Sequence, residues 1–216
     1  MTESLGIVNF HLFMVGVFMI IVTPGPNSLY VLSTGARAGR AAGLKAMAGV
    51  AGGDATLMFL ASAGVAAAIA ANPQLFEIVR YAGAAYLAFL GLRILYIEIR
   101  KKAGGQMPDS DRKVKGGVFL TSFLISLSNP NTIIFYMAFF IQFVHPARSN
   151  DALPFLALAL TVQAVSLTYL SLLVFAGSRL AARLREYYGL TRFFRYALGL
   201  LFVAFGLRLA IAGLKM

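Results

Sequence analysis

The chain has 216 residues, of which 59% are hydrophobic and 12% are charged, and its mean hydropathy is +0.79. This composition is too apolar for a water-soluble domain of that length, so it indicates an integral membrane protein with no room for a separate soluble domain. The formal charge of +11 would suit a nucleic-acid-binding protein, but the basic residues lie between apolar runs, so we expect the lipid bilayer and no nucleic acid as a partner.

Residue types that carry much of metal and covalent chemistry are scarce. Cysteine is absent, which excludes disulfides and thiolate metal sites. His11 and His145 lie at the edges of apolar runs without metal-ligand spacing, and we predict no metal site and no cofactor. The sequence has neither an HExxH nor a GxSxG motif, so the catalytic residues of an intramembrane protease or hydrolase are missing. No catalytic residue is assigned.

Six apolar stretches are long enough to cross a bilayer, which takes about 20 residues in a helix. In chain order the predicted spans are residues 8–32, 44–71, 76–99, 116–144, 152–178 and 193–214. The charged segment 100–115 is predicted to be a solvated connector. The whole chain, residues 1–216, is therefore predicted to be one all-α membrane domain with two halves, about 1–100 and about 116–216.

Lysine and arginine are unevenly distributed among the connections. Of the 19 basic residues, 14 follow the first, third or fifth predicted span. The positive-inside rule makes that side cytoplasmic, and both termini then lie on the outer side. The arginine-rich segment 179–195 is interpreted either as an amphipathic helix on the inner leaflet or as a charged loop.

The first predicted span is interrupted by the sequence TPGPNS at residues 23–28. Pro24 and Pro26, on either side of Gly25, remove backbone donors and clash with the preceding turn, so they should unwind the helix. Unpaired backbone groups in the bilayer core are costly, so the break is expected to lie in the protein interior. Asn27 and Ser28 are favourable N-cap residues for the helix that resumes, whose N-terminus would attract an anion. The alternative is a proline kink that serves packing.

The second predicted span carries Asp54, the only carboxylate well inside a predicted span. A charged group at the centre of a membrane helix costs at least ~2.5 kcal/mol, and such residues mark ion or proton paths. We therefore predict that Asp54 is the proton-coupling residue; the alternatives are a pair with Arg93 or a cap for the broken first span. Gly49 and Gly53 form a GxxxG pair that would let another backbone approach closely and bring Asp54 against the first break.

The second half of the chain repeats features of the first. Residues 80–82 and 91–93 match residues 195–197 and 206–208 without a gap, and the sequence NPNT in the fourth span is similar to GPNS in the first. Halves of three spans each must insert in opposite orientations, which predicts a 3+3 inverted repeat, with discontinuous first and fourth helices, as in many transporters. Chance similarity between apolar helices is the alternative.

Further polar residues in the predicted spans complete the predicted site. Gln163 in the fifth span lies near the position that Asp54 has in the first half. Arg93 and Arg208 occupy matching positions of the repeat, and they either snorkel to the interface or form gates on the two sides of the site. The break in the fourth span contributes Asn129, Pro130 and Asn131.

The segments TPGPNSLYVLSTGARAGRAAGLKAMAGVAGGD, SLSNPNTIIFYMAFFIQF and FVAFGLRLA resemble the lysine exporter and homoserine/threonine exporter (LysE/RhtB) family of small bacterial inner-membrane exporters. The resemblance covers essentially the whole chain, and LMFLASAGVA and FEIVRYAGAAYLAFLGLRILY look most like the leucine exporter branch. By motif match it points to Pro24, Gly25, Pro26, Asn27, Asp54, Asn129, Pro130 and Asn131 as functional residues.

This resemblance implies export of leucine and similar neutral amino acids from cytoplasm to periplasm by proton antiport. The alternatives are export of homoserine, threonine or a broad range of amino acids, and a channel or lipid scramblase with similar broken helices. A cationic amino acid such as lysine would require a further acidic residue inside the membrane spans, and the sequence does not contain one. Small-residue helix faces are compatible with a homodimer.

Overall fold

The computed structural model describes residues 6–23, 25–71, 73–100, 117–128, 130–145, 151–186 and 188–213. In these ranges every regular element is an α-helix, which confirms the predicted all-α class, and Ile7 and Val144 form an isolated bridge. The helices are α1 (Phe10–Val22), α2 (Pro26–Ala38), α3 (Arg40–Ala71), α4 (Pro73–Arg100), α5 (Val118–Leu127), α6 (Pro130–Phe140), α7 (Ala152–Glu186) and α8 (Tyr188–Gly213). The predicted connector lies outside the described residues except at its first residue, Arg100.

Both predicted interruptions are present. The first predicted span is two helices, because α1 ends at Val22 and α2 begins at Pro26 with a bend of 51° between them. The fourth predicted span is also two helices, because α5 ends at Leu127 and α6 begins at Pro130. In each case a proline occupies the first turn of the second helix, where its missing amide hydrogen costs no intrahelical hydrogen bond.

Three stretches of helix are long and apolar enough to cross a membrane on their own: Arg40–Gly64 in α3, Tyr81–Arg100 in α4 and Ala152–Ala176 in α7. The bent pair α1 and α2 would make a fourth span, and α5 is a shorter apolar helix. The predicted sixth span falls in α8, and its membrane crossing stays a prediction. Helix α7 continues to Glu186 and α8 begins at Tyr188, so the described residues of the arginine-rich segment are helical, and the charged-loop alternative is wrong for them.

Helices α4 and α8 pack along each other in antiparallel directions, with glycines at the closest points. A Cβ atom added at Gly91 would lie 2.5 Å from the carbonyl oxygen of Gly199, and one added at Gly206 would lie 2.6 Å from that of Ala84. The repeat found in the sequence aligns Gly91 with Gly206 and Ala84 with Gly199. The same contact is therefore made twice, with the two helices exchanged.

The buried side chains form two clusters on either side of a cavity. A phenylalanine-rich cluster joins α1, α6 and α8, and it includes the fully buried Phe13, Phe139 and Phe205. A smaller aliphatic cluster joins α2, α3 and α7. Members of both clusters also line the cavity, for example Tyr136 from the first and Val50 from the second, so the cavity lies where the two clusters meet.

Candidate functional site

A cavity of about 370 Å³ lies between the helices, and each of the helices α1 to α8 contributes to its wall. This volume is in the range of about 300–1,000 Å³ typical of small-molecule sites. Its lining is mostly apolar, with a limited set of polar side chains. The polar lining residues are Thr23, Asn27, Ser28, Asp54, Tyr86, Arg93, Ser126, Tyr136, Ser166 and Tyr169.

The start of α2 forms one wall of the cavity, and its backbone leaves amides free. Gly25 is the N-cap, and its carbonyl oxygen accepts the amide hydrogen of Leu29 at 3.0 Å. The first amide hydrogens of a helix have no acceptor within the helix. Pro26 carries no amide hydrogen, so the amides of Asn27 and Ser28 are the ones without an intrahelical acceptor. All four of the residues from Gly25 to Ser28 line the cavity.

The predicted N-cap role of Asn27 and Ser28 is wrong, because both lie inside the first turn of α2. Ser28 stabilises the helix start from within: its Oγ accepts the Gly25 amide hydrogen at 3.0 Å and donates to the Gly25 carbonyl oxygen at 3.0 Å. The cap itself is a glycine in extended conformation. The side chain of Asn27 is therefore not used as a helix cap, and the residue is a half-buried part of the cavity wall.

The end of α1 leaves carbonyl oxygens at the same place. In an α-helix each carbonyl accepts the amide four residues later. Four residues after Ile20 and Val22 the chain has prolines, which carry no amide hydrogen. Four residues after Ile21 it has Gly25, whose amide is donated to Ser28. Ile20 and Ile21 line the cavity, so the break brings backbone acceptors and backbone donors to one wall.

The two breaks end their first helices in the same way. At the end of α1, Thr23 donates both its amide (3.3 Å) and its hydroxyl (2.7 Å) to the carbonyl oxygen of Met19. At the end of α5, Ser128 donates its amide (2.8 Å) and its hydroxyl (2.5 Å) to the carbonyl oxygen of Leu124. A hydroxyl residue thus closes each helix just before the proline-containing break.

Asp54 lies in the cavity wall on α3 and is held by α5. The Oγ atom of Ser126 donates to Asp54 Oδ1 at 2.5 Å. The glycine pair on α3 makes this possible: a Cβ atom at Gly53 would lie 2.6 Å from Ser126 Cβ, and one at Gly49 would overlap Ser122 Oγ. The prediction that these glycines bring Asp54 against the first break is wrong, because they pack α3 on the first helix of the second break.

The other predicted site residues are distributed around this cavity. Arg93 on α4 and Arg208 on α8 are both exposed, but Arg93 lines the cavity and Arg208 does not. Gln163 on α7 is not a lining residue either; its Nε2 donates to the carbonyl oxygen of Ala51 on α3 at 3.3 Å. Pro24 and Asn129 lie outside the described residues, and Pro130 and Asn131 are described only as the backbone at the start of α6.

The cavity contains polar residues that the sequence analysis did not single out, namely Ser126, Tyr86, Tyr136, Ser166 and Tyr169. Their common signal is a hydroxyl group inside an apolar span. Serine and tyrosine are frequent in membrane helices for packing reasons as well, so this signal alone does not separate lining residues from others. Within the described ranges no group of three His, Asp or Glu side chains is close enough together to hold a metal ion.

Comparison with known proteins gives a consistent picture. The family model described as LysE type translocator matches residues 18–213. The leucine efflux protein of Enterobacter sp. (strain 638) is 43% identical over 214 residues, which cover 97% of this chain and 99% of that protein. The leucine efflux protein of Klebsiella pneumoniae is 39% identical over 210 residues, covering 97% and 98%. An uncharacterized membrane protein of Pseudomonas aeruginosa is 43% identical over 214 residues, covering 98% and 99%. No solved structure shows a significant match.

Proposed function

The chain belongs to the LysE type translocator family, and we propose that it exports leucine and similar neutral amino acids from cytoplasm to periplasm across a bacterial inner membrane by proton antiport. Family membership makes it a multi-pass membrane transporter and not an enzyme. The names of the relatives from Enterobacter and Klebsiella support leucine as a substrate. The observation that carries the proposal is the cavity, which combines backbone donors and acceptors with one acid and one arginine.

The main-chain groups of an amino acid match this wall. A carboxylate is attracted by the unpaired amides at the start of α2, by the positive end of that helix, and by the Arg93 guanidinium. An ammonium group needs acceptors, which the carbonyls of Ile20 and Ile21 and the carboxylate of Asp54 can supply. Donors and acceptors for both ends of a zwitterion therefore lie in one cavity.

The remaining wall suits an aliphatic side chain. It consists of Ile20, Ile21, Val50, Leu90, Ile125, Phe135, Val162, Leu170, Leu198 and Phe202. Burial of apolar area on these residues favours leucine over small polar amino acids. Among the lining residues that the structure describes, Asp54 is the one carboxylate, so a lysine side chain would find no second acid.

Proton antiport follows from competition for Asp54. A carboxylate that carries a proton no longer attracts an ammonium group, so proton and substrate exclude each other at this residue. Ser126 can donate its hydroxyl hydrogen to the carboxylate, and it can accept from the protonated acid, so the hydrogen bond is available in both states. Alternating occupation by proton and amino acid is the requirement for exchange across the membrane.

The proposed architecture is the 3+3 inverted repeat, with the first and fourth spans broken and both termini in the periplasm. Three observations support it: the antiparallel α4 and α8, their exchanged glycine contacts, and the similar hydroxyl caps, Thr23 and Ser128, before the two breaks. In this arrangement the broken helices of the two halves meet near the bilayer midplane. The glycine faces at Gly53, Gly91 and Gly206 contact helices of the same chain, so the homodimer stays a prediction without support from them.

Transport by purified protein in liposomes tests the proposal. Vesicles loaded with labelled leucine should release it faster when the outside is more acidic than the inside, and release should saturate with internal leucine. Efflux that does not saturate would indicate a channel, and movement of fluorescent lipid between leaflets would indicate a scramblase. Threonine, homoserine and lysine are the competitors that define the substrate range; equal competition by all three would contradict the preference for aliphatic side chains.

A further inference from the structure

Tyr169 on α7 approaches the break between α1 and α2 from the other half of the chain. Its hydroxyl donates to the carbonyl oxygen of Val22 at 3.5 Å. This carbonyl is one of those that lack an amide partner, because the residue four positions later is Pro26. The side chain of Ser28 on α2 lines the same cavity as Tyr169. Tyr169 therefore contacts the end of α1 and lies in one cavity with the first turn of α2.

Ser28 lies on the other side of the break from Val22. Ser28 Oγ already donates to the carbonyl oxygen of Gly25 and accepts its amide hydrogen, which leaves it one lone pair for a further donor.

An equivalent contact exists at the second break. Ser126, which holds Asp54, lies four residues before Pro130, just as Val22 lies four residues before Pro26. In both cases a long helix of one half contacts the end of the first broken helix of the other half. Helix α3 contacts α5 through the carboxylate of Asp54, and α7 contacts α1 through the hydroxyl of Tyr169. Both of these side chains line the same cavity.

We propose that Tyr169 is a positioning residue for transport, whose hydroxyl holds the break between α1 and α2 in the geometry that binds the substrate. The inference rests on the proposed function and adds a residue to it. The ring has a separate role, because it also lines an apolar groove between α1 and α7 and so stands between that groove and the cavity. Tyr169→Phe keeps the ring and removes only the hydroxyl, which makes it the informative variant.

The first test measures leucine exchange in liposomes. Tyr169→Phe should raise the KM for leucine about 2- to 10-fold, the factor that corresponds to one hydrogen bond, with little change in maximal rate. A purely structural defect would lower the amount of active protein, and hence the maximal rate, at an unchanged KM. Tyr96→Phe is the matched control, because Tyr96 is exposed on α4 and is not a lining residue.

The second test does not depend on the substrate. Since the chain has no cysteine, Gly25→Cys introduces a single thiol at the break, and a Cβ atom there would meet no atom within 4 Å outside the neighbouring residues. Its labelling by a maleimide should be several-fold faster in combination with Tyr169→Phe than alone, because the break loses a restraint. Combination with Tyr96→Phe should leave the rate unchanged.

The outcomes separate the two proposals. If Tyr169→Phe does not change the labelling rate of Gly25→Cys, the role of the hydroxyl is overturned. The role is also overturned if labelling is faster but Tyr169→Phe transports leucine with an unchanged KM. If the unmodified protein moves no leucine, the proposed substrate is wrong; faster labelling then still supports the restraint at the break, and an unchanged rate overturns it.

Discussion

Ser126 on α5 donates a hydrogen bond of 2.5 Å to Oδ1 of Asp54 on α3, across 72 positions of sequence. The contact joins the two predicted halves at the wall of the cavity, and both residues line it. It depends on the close approach of the two helices at Gly53, where a methyl group would already collide with Ser126. The acid is thereby held next to the break in the fourth predicted span, and its position can be tested independently of its chemistry.

Asp54→Asn should abolish leucine efflux driven by a pH gradient while leaving an inserted, folded protein. The amide keeps the size of the acid and still accepts the Ser126 hydrogen bond, but it cannot bind and release a proton. The measurement is efflux from liposomes with and without an acidic exterior. Asp151→Asn, on an exposed residue before α7, is the control and should retain coupling. Wild-type efflux by Asp54→Asn under the gradient would rule out the proton-coupling role.

Arg93→Gln should weaken leucine binding about 10- to 100-fold, because a hydrogen bond to a charged group contributes about 1.5–3 kcal/mol. The repeat supplies a matched control: Arg208 has the equivalent position in the second half and is exposed like Arg93, but it does not line the cavity. Arg208→Gln should bind leucine as the unmodified protein does. Affinity can be measured by calorimetry in detergent, and equal losses in both variants would contradict a direct contact with the substrate carboxylate.

Gly53→Ala should destabilise the protein by about 1–3 kcal/mol, the usual cost of overpacking a tight contact. Its Cβ atom would lie 2.6 Å from Ser126 Cβ and 3.0 Å from the carbonyl oxygen of Phe123. The neighbouring Gly52→Ala is the control, because its Cβ atom would have its nearest contact at 3.4 Å, with the ring of Phe123. Thermal unfolding in detergent gives the comparison; similar midpoints for the two variants would show that α3 and α5 separate at little cost.

Arg195→Gln should destabilise the pair α4 and α8 by about 3–5 kcal/mol, because it removes a cation from a buried acid. The Arg195 guanidinium lies 2.8 Å from Glu98 Oε1, and the Glu98 side chain is only 3% exposed. Adding Glu98→Gln should recover part of the loss, since the buried charge is then absent as well. The unfolding midpoints of the single and double variants measure this coupling, and a double variant that is less stable than Arg195→Gln alone would contradict it.

Several features of this protein could be read directly from the sequence because they depend on local rules. Prolines at positions 26 and 130 interrupt helices wherever the chain folds, and both breaks occur at the predicted places. The gap-free match between residues 79–93 and 194–208 predicted related helices, and the exchanged contacts of Gly91 and Gly206 involve exactly those stretches. The composition predicted helices in a bilayer, because the chain contains several apolar stretches long enough to cross one.

Other features were beyond the sequence because they depend on which helices become neighbours. The glycines of α3 would allow any helix to approach closely. The sequence analysis predicted that their neighbour is the first break, whereas in the structure their neighbour is α5. Arg93 and Arg208 have matching surroundings in sequence, yet one lines the cavity and the other does not. The cap of α2 also differed, because the helix begins at Pro26 with Gly25 as its cap, which puts Ser28 in the first turn, where its hydroxyl reaches back to Gly25.

The sequence by itself determined that this is a helical membrane protein, where two of its predicted spans break, and that Asp54 is the one acid well inside a predicted span. These follow from hydrophobicity, missing amide hydrogens and the cost of buried charge, which act within a few residues. Only the tertiary structure decided that Ser126 holds Asp54, that Tyr169 reaches the carbonyl of Val22, and that the groups of both halves line one cavity. Such contacts depend on how whole helices pack, and apolar helix faces of similar composition permit many packings of nearly equal energy.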